Sequence, residues 1–188
     1  AYVYVRLNFD SDVYPNGVPN ISFEVEGKKV FDPRTSATAF SSNPALCIRD
    51  YLLDSNYGLD ADAAEINDTN FQAVANTCDE DVSLSSGTED RFTLNGSFEL
   101  KQSPKNIIEN MLSSIAGNLI YSNGQFKLRA AVYSTPTVTL SEQHFRSGIT
   151  LNTRVSKKEL FNAVKGLYAE PANNYQPQDY PILTSSTF

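Results

Sequence analysis

Apolar positions along the chain switch between two spacings, and the switches divide it into three parts. Tyr2, Val3, Tyr4, Val5 and Leu7 open the sequence inside an alternating run. Val18, Ile21, Phe23 and Val25 then alternate with Glu24 and Glu26 before Gly27 turns the chain and Val30 and Phe31 resume. A period near two is that of a strand with one face toward a core. Residues 1–40 are therefore expected to form strands of a meander or part of a barrel, stopped by "DPRT". A strand already under way at the first residue leads us to expect a piece of a longer chain.

From residue 41 the spacing becomes three and four. Asn43 offers a capping oxygen and Pro44 suits the first helical position, where its missing N–H and fixed φ are no loss. Ala45, Ile48, Tyr51 and Leu52 continue the stripe, and Asn56 with Gly58 is expected to supply the left-handed closing turn. A second helix follows, capped by Asn67 or Asp68, with Phe71, Val74, Ala75 and Cys78 on its inner stripe. A third begins at Ser103 and Pro104, carries Ile107, Ile108, Met111, Leu112 and Ile115, and is expected to end at Gly117. The Asn-Gly pairs at 95–96 and 123–124 each lie between alternating runs and predict hairpins, because a type I′ turn needs positive φ at both central residues. Strands return from Ile149 in "ITLNTRV" and "LFNAVKGLYAEP", followed by the polar loop "ANNYQPQDYP".

This order predicts an α+β fold. A β-barrel or sheet is expected from both ends of the chain, residues 1–40 plus 148–188, with an inserted α+β region at 41–147 holding about three helices and β-hairpins. No 20- to 50-residue period recurs, which excludes a solenoid.

Composition removes several function classes. At 188 residues and 40% apolar content, the chain is long enough to bury roughly 70% of its unfolded surface. No run approaches the ~18 apolar residues of a membrane span, so no membrane insertion by this region is expected. Fifteen basic residues against 22 acidic ones leave a net charge of -7. Without clustered cations to displace counterions, sequence-specific nucleic acid binding is not expected. Three N-x-Ser/Thr sequons, at Asn20, Asn67 and Asn95, are ordinary by chance and assign no compartment.

Candidate chemistry is sparse. Cys47 and Cys78 fall on apolar helix faces and read as buried free thiols, with a disulfide between them left open. His144 is the only histidine, which removes the two-histidine zinc motifs, and neither cysteine has a local nucleophile signature to pair with it. The acidic run "DADAAEIND" at 60–68 lacks a calcium loop's sixth-position glycine, since Glu65 stands there. The run "DEDV" at 79–82 sits at a helix C-terminus, where the dipole disfavours anions, so a nearby cation or exposure must offset it. No nucleophile elbow, dinucleotide fingerprint or phosphate loop occurs. Tyr168, Tyr175 and Tyr180 read either as a stacking surface for carbohydrate or as pins holding a loop to its own sheet. Accordingly no catalytic, cofactor-binding or metal-binding residue is assigned, no cofactor is expected, and the chain is not expected to be an enzyme.

Five stretches in fixed order carry a resemblance. They are "NGVPNISFEVEGKKVFD" (16–32), "SSNPALCIRDYLLDSNYGL" (41–59), "FQAVANTCDEDV" (71–82), "RFTLNGSFELKQSPKNIIENMLSSIAGNLIYSNGQFKL" (91–128) and "FNAVKGLYAEPANNYQPQDYP" (161–181). Together they resemble the central tail hub, or tip attachment, proteins of long-tailed phages, prophages and gene transfer agents, the J-type host-specificity proteins. The resemblance implies a homotrimer in the tail tip or baseplate hub of the virion, made in the bacterial cytoplasm. Its β-barrel parts would extend the tail tube, and its α+β parts would pack around or below them. It further implies contact with tail tube and distal tail proteins and with the tape-measure protein. Closure of the tube, host attachment and DNA ejection would be its roles, with any host surface receptor met through parts not in this chain. Two rivals remain: a receptor- or carbohydrate-binding module using the tyrosine-bearing loop after Pro171, and, ranked last, a cell-wall hydrolase using paired carboxylates.

Overall fold

The computed structural model describes residues 2–8, 10, 12–83, 87–148, 150, 156 and 160–185. They fall into two compact units, residues 1–134 and 135–188, each taken by itself.

In the first unit, β1 (Lys29–Asp32) and β2 (Ala37–Phe40) form an antiparallel hairpin with Val30 opposite Ala39. Helix α1 (Pro44–Leu53) starts where the Asn-Pro pair predicts, with Asn43 Oδ1 accepting from the backbone N–H groups of Ala45 and Leu46. Helix α2 (Asp68–Cys78) is capped by Asn67. The hairpin β3 (Asp81–Ser83) and β4 (Thr88–Asp90) follows, then helix α3 (Pro104–Ser113), capped by Ser103. The hairpin β5 (Asn118–Ser122) and β6 (Gln125–Arg129) turns at Asn123 (φ 54°) and Gly124 (φ 74°), both left-handed as a type I′ turn requires.

One apolar core holds these elements. Ile48 and Leu52 of α1, Phe71, Ala75 and Cys78 of α2, Ile115 just past α3 and Leu128 of β6 are essentially inaccessible, and Val30 of β1 closes one side. The helical stripes read from the sequence therefore converge on one cluster. On α3 only Ile107 is buried; Ile108, Met111 and Leu112 pack on the cluster from its edge.

Three local expectations are corrected. Residues 91–100 hold no strand, so Asn95 and Gly96 do not turn a hairpin. The backbone bonds of this stretch go elsewhere: Phe92 N–H donates to Cys78 O (3.2 Å) and Leu94 N–H to Ser42 O (2.7 Å). Its Phe98 ring stands edge-on to Tyr51, with centroids 5.4 Å apart. Gly58 does not close α1 through positive φ. The chain folds back over the helix end, with Gly58 N–H on Asp54 O and Leu59 N–H on Tyr51 O. A Cβ at 58 would lie 2.0 Å from Tyr51 O, so the glycine is required by close backbone approach. After α3 it is Ala116 that takes the left-handed conformation (φ 44°), while a Cβ on Gly117 would meet Arg129 O at 2.2 Å.

A fourth correction concerns residues 1–40, where strands form only at β1 and β2. Residues 2–28 hold no strand among the described residues, and Tyr2, Tyr4, Val18, Phe23 and Val25 are exposed. Alternation alone does not make a strand; without a neighbouring strand or a packed face the backbone groups stay with water.

In the second unit, β7 (Ala163–Val164) pairs antiparallel with β10 (Leu183–Thr184), and β8 (Leu167–Glu170) with β9 (Gln176–Asp179). The strand expected over "ITLNTRV" falls almost wholly outside the described residues. Across both units the described residues make an α+β fold of three α-helices and small two-stranded antiparallel sheets, none closed into a barrel.

Candidate functional site

Among the described residues, a dense polar construction surrounds the two ends of α1. At its start, Asn43 is buried and uses every polar atom of its side chain. While Oδ1 caps α1, Nδ2 donates to Ala75 O (2.9 Å) and to Asp79 Oδ1 (2.6 Å) at the far end of α2. Arg34, in the β1–β2 turn, reaches the same place. Its Nη1 meets Asp79 Oδ2 (2.7 Å) and Asn76 Oδ1 (3.0 Å), while Nε and Nη2 grip Asp32. The hairpin, the start of α1 and the end of α2 are thus joined through Asp79. Of the two ways left open for "DEDV" at this helix C-terminus, a nearby cation or exposure, Asp79 has the cation, Arg34, and Arg91 pairs with Glu80 beside it (2.7 Å).

Along the helix, Arg49 pairs with Asp68 in the first turn of α2 (2.7 Å) and lies over the Phe31 ring, 5.6 Å from its centroid. The two helices are therefore antiparallel. At the other end of α1, Lys28 Nζ bonds Asp50 (2.6 Å) and Asp54 (2.8 Å) above the Tyr57 ring. Burial works against the charge on Lys28, but hydrogen bonds to Asp50, Asp54 and Tyr57 outweigh it and raise its pKa.

The same contacts set the acid limit of the fold. The hydrogen bond from Lys28 holds the Asp54 carboxyl well below the usual range, and that from Arg34 lowers Asp32. In the unfolded chain both titrate near ~3.9. Their stabilisation is thus complete above about pH 4 and is lost as pH falls through the depressed folded values. Thermal midpoints measured from pH 6 to pH 2 should fall below about pH 4, and Lys28→Met should flatten part of that fall. An unchanged slope in the variant would contradict the assignment.

The remaining candidates resolve one by one. Cys47 and Cys78 are free thiols, each with its pKa pushed up to about 11 by burial. Cys47 Sγ lies 3.5 Å from Ser41 O. A thiol-directed alkylating reagent at pH 8 should label neither in the native protein and both in guanidinium; an intact-mass increase without denaturant would contradict this. Within "DADAAEIND", Asp62 and Glu65 form a reciprocal cap of a short 3-10 turn, Ala63–Glu65, and Asp68 pairs with Arg49. Among the described residues no group of three or more His, Cys, Asp or Glu is gathered as metal ligands would be. His144 Nδ1 contacts Ser141, three residues away.

The β5–β6 hairpin is fastened to the start of α2. Asn70 Oδ1 accepts from Leu128 N–H (2.6 Å), Asn67 Nδ2 donates to Gln125 (2.9 Å), and Tyr121 Oη donates to Glu65 (2.8 Å). Between α3, β5 and Leu59 runs an open apolar groove of about 630 Å³, whose titratable side chains, Lys105 and Glu109, pair with each other. Sequence reasoning missed Lys28, Arg34 and Arg49, whose partners on other elements lie 19 to 45 residues away. It did name Asn43, but only as a cap.

No protein-family model matches the chain. The "Tip attachment protein J" of Escherichia phage SECphi27 is 22% identical over 190 residues, taking in 92% of this chain but 16% of that protein. The chain thus spans about a sixth of that relative's length, and over nearly all of its own length it is similar to a stretch of a phage tip attachment protein.

Proposed function

We propose that this chain is a structural, non-enzymatic module of a phage tail tip. The observation that carries the reading is the similarity over 92% of the chain to part of a tip attachment protein. Two structural features support it. The first unit is braced by its polar side chains: Asn43, Arg34, Arg49 and Lys28 spend their polar atoms on cross-links between elements. Beyond that frame, residues 2–25 and 160–183 expose large apolar side chains, among them Tyr2, Val18, Phe161 and Leu183. Exposed apolar area of this extent is what an assembly covers.

In the assembled tip, residues 1–40 and 148–188 supply strands to barrel-like walls continuous with the tail tube. The inserted region, 41–147, packs against them. The assembly is a homotrimer in contact with tube, distal tail and tape-measure proteins, and it closes the tube until DNA is ejected. Light scattering of the full-length protein tests the stoichiometry: a mass three times that of the chain is expected, and a strict monomer at all concentrations would contradict it.

A further inference from the structure

The β8–β9 ribbon gathers aromatic, amide and carboxylate side chains on one face, outside the braced frame of the first unit. Its register places Tyr168 opposite Gln178 and Glu170 opposite Gln176. Directly opposed residues of an antiparallel pair project to the same side, as do residues two apart. These four side chains therefore share one face, and a hydrogen bond from Tyr168 Oη to Glu170 confirms that its two members on β8 lie together.

The face continues one step beyond the strands. Tyr180 N–H donates to Gly166 O (3.2 Å), extending the register, and the Tyr180 ring occupies the space a side chain at 166 would need. A Cβ there would lie 2.7 Å from the ring. The glycine thus lets the Tyr180 ring reach over position 166, next in line to Tyr168. Successive pairs on one face are about 7 Å apart, on the scale of one pyranose ring and the next.

We infer that this face, Tyr168 and Tyr180 with Gln176, Gln178 and Glu170, is a binding surface for a neutral oligosaccharide. Two aromatic rings offer apolar faces for the C–H side of sugar rings. Two amides and a carboxylate beside them supply donors and acceptors for hydroxyl groups, the few placed polar groups that orient a ligand. Residues 166–180 contain no Lys or Arg, and the one charged residue on this face, Glu170, is acidic, so uronic, sialylated or sulfated sugars and phosphate polymers are disfavoured. Tyr168 and both glutamines are exposed, and Tyr180 is half-buried against Gly166. The surface is therefore ordered by the ribbon yet open to a ligand.

The test is an array of neutral glycans (maltohexaose, chitohexaose, mannan) and anionic ones (polygalacturonate, heparin) probed with the full chain, followed by calorimetric titration of the best binder. Binding to at least one neutral glycan is expected. It should weaken at least about tenfold in Tyr168→Ala and in Gly166→Ala, which removes no contact atom but displaces Tyr180. Gln178→Ala, at an exposed strand position, checks the face without disturbing the Tyr180 seat and should also weaken binding, whereas Tyr2→Ala, in the other unit, should leave it unchanged. No neutral binder, binding confined to anionic glycans, or neutral binding indifferent to Tyr168→Ala and Gln178→Ala would overturn the inference. None of these outcomes bears on whether the chain resides in a tail tip, which is read by its position on the particle.

Discussion

Phe71→Ala is expected to lower the unfolding free energy by about 3–5 kcal/mol. Phe71 is fully buried on α2, in the cluster that joins Ile48 and Leu52 of α1, Ile115 and Leu128 of β6. Helices α1 and α2 and strand β6 are cross-linked by an ion pair and side-chain hydrogen bonds, so the site is poorly placed to collapse into the space left behind. A large residual cavity puts the cost in the upper part of the range for such truncations. The three α-helices among the described residues all lie in residues 1–134, so loss of their circular dichroism signal reports this unit's unfolding. The midpoint should drop by on the order of 10 °C. A loss under about 1 kcal/mol would mean that the site collapses or that Phe71 is not central.

Asn43→Ala is expected to be the most costly change of a polar residue. Loss of a helix cap alone is worth about 1 kcal/mol. Here the same side chain also satisfies Ala75 O and Asp79, and stranding buried polar groups adds about 1–3 kcal/mol. A total of about 2–4 kcal/mol follows. Asn43→Asp separates the two roles. It keeps the capping oxygen but turns a carboxylate toward Asp79 and the Ala75 carbonyl. Its deficit should therefore shrink as pH falls toward about 4 and the carboxyl takes up a proton. If Asn43→Ala costs no more than an ordinary exposed cap, α1 and α2 are not held together through this residue.

What was legible in the sequence was whatever local chemistry decides. Asn43 with Pro44 and Ser103 with Pro104 mark helix starts because capping involves residues two or three apart, and the structure places both starts there. The stripe Phe71, Val74, Ala75, Cys78 is buried as its spacing predicts. Asn123 and Gly124 turn a hairpin because Leu119 and Leu128 flank them in register on a packed face. The same dipeptide at 95–96 fails because its flanks find better partners, Cys78 O and Ser42 O, far away in sequence. Local turn preference is weaker than two backbone bonds and a Phe92 packed, partly buried, against the core.

The polar bracing was not legible for a related reason. Arg34, Arg49 and Lys28 carry no periodic signature, and their partners on other elements are set only once the helices have packed. Nor did alternation at residues 2–28 reveal that the strands it describes would find no partner among the described residues. The tyrosine face was half legible. Tyr168 and Tyr180 were singled out by type, but their alignment depends on a register and on the space above Gly166, which only the folded ribbon defines.

The central claim is a location, and immunogold electron microscopy tests it most directly. Antibody raised against this chain would be applied to intact tailed particles released by the cell whose genome encodes it. Gold at the distal end of the tail, away from the head, is the predicted result. Particles that remain unlabelled, or that carry label on the head or along the length of the tube, would contradict the assignment to a tail tip.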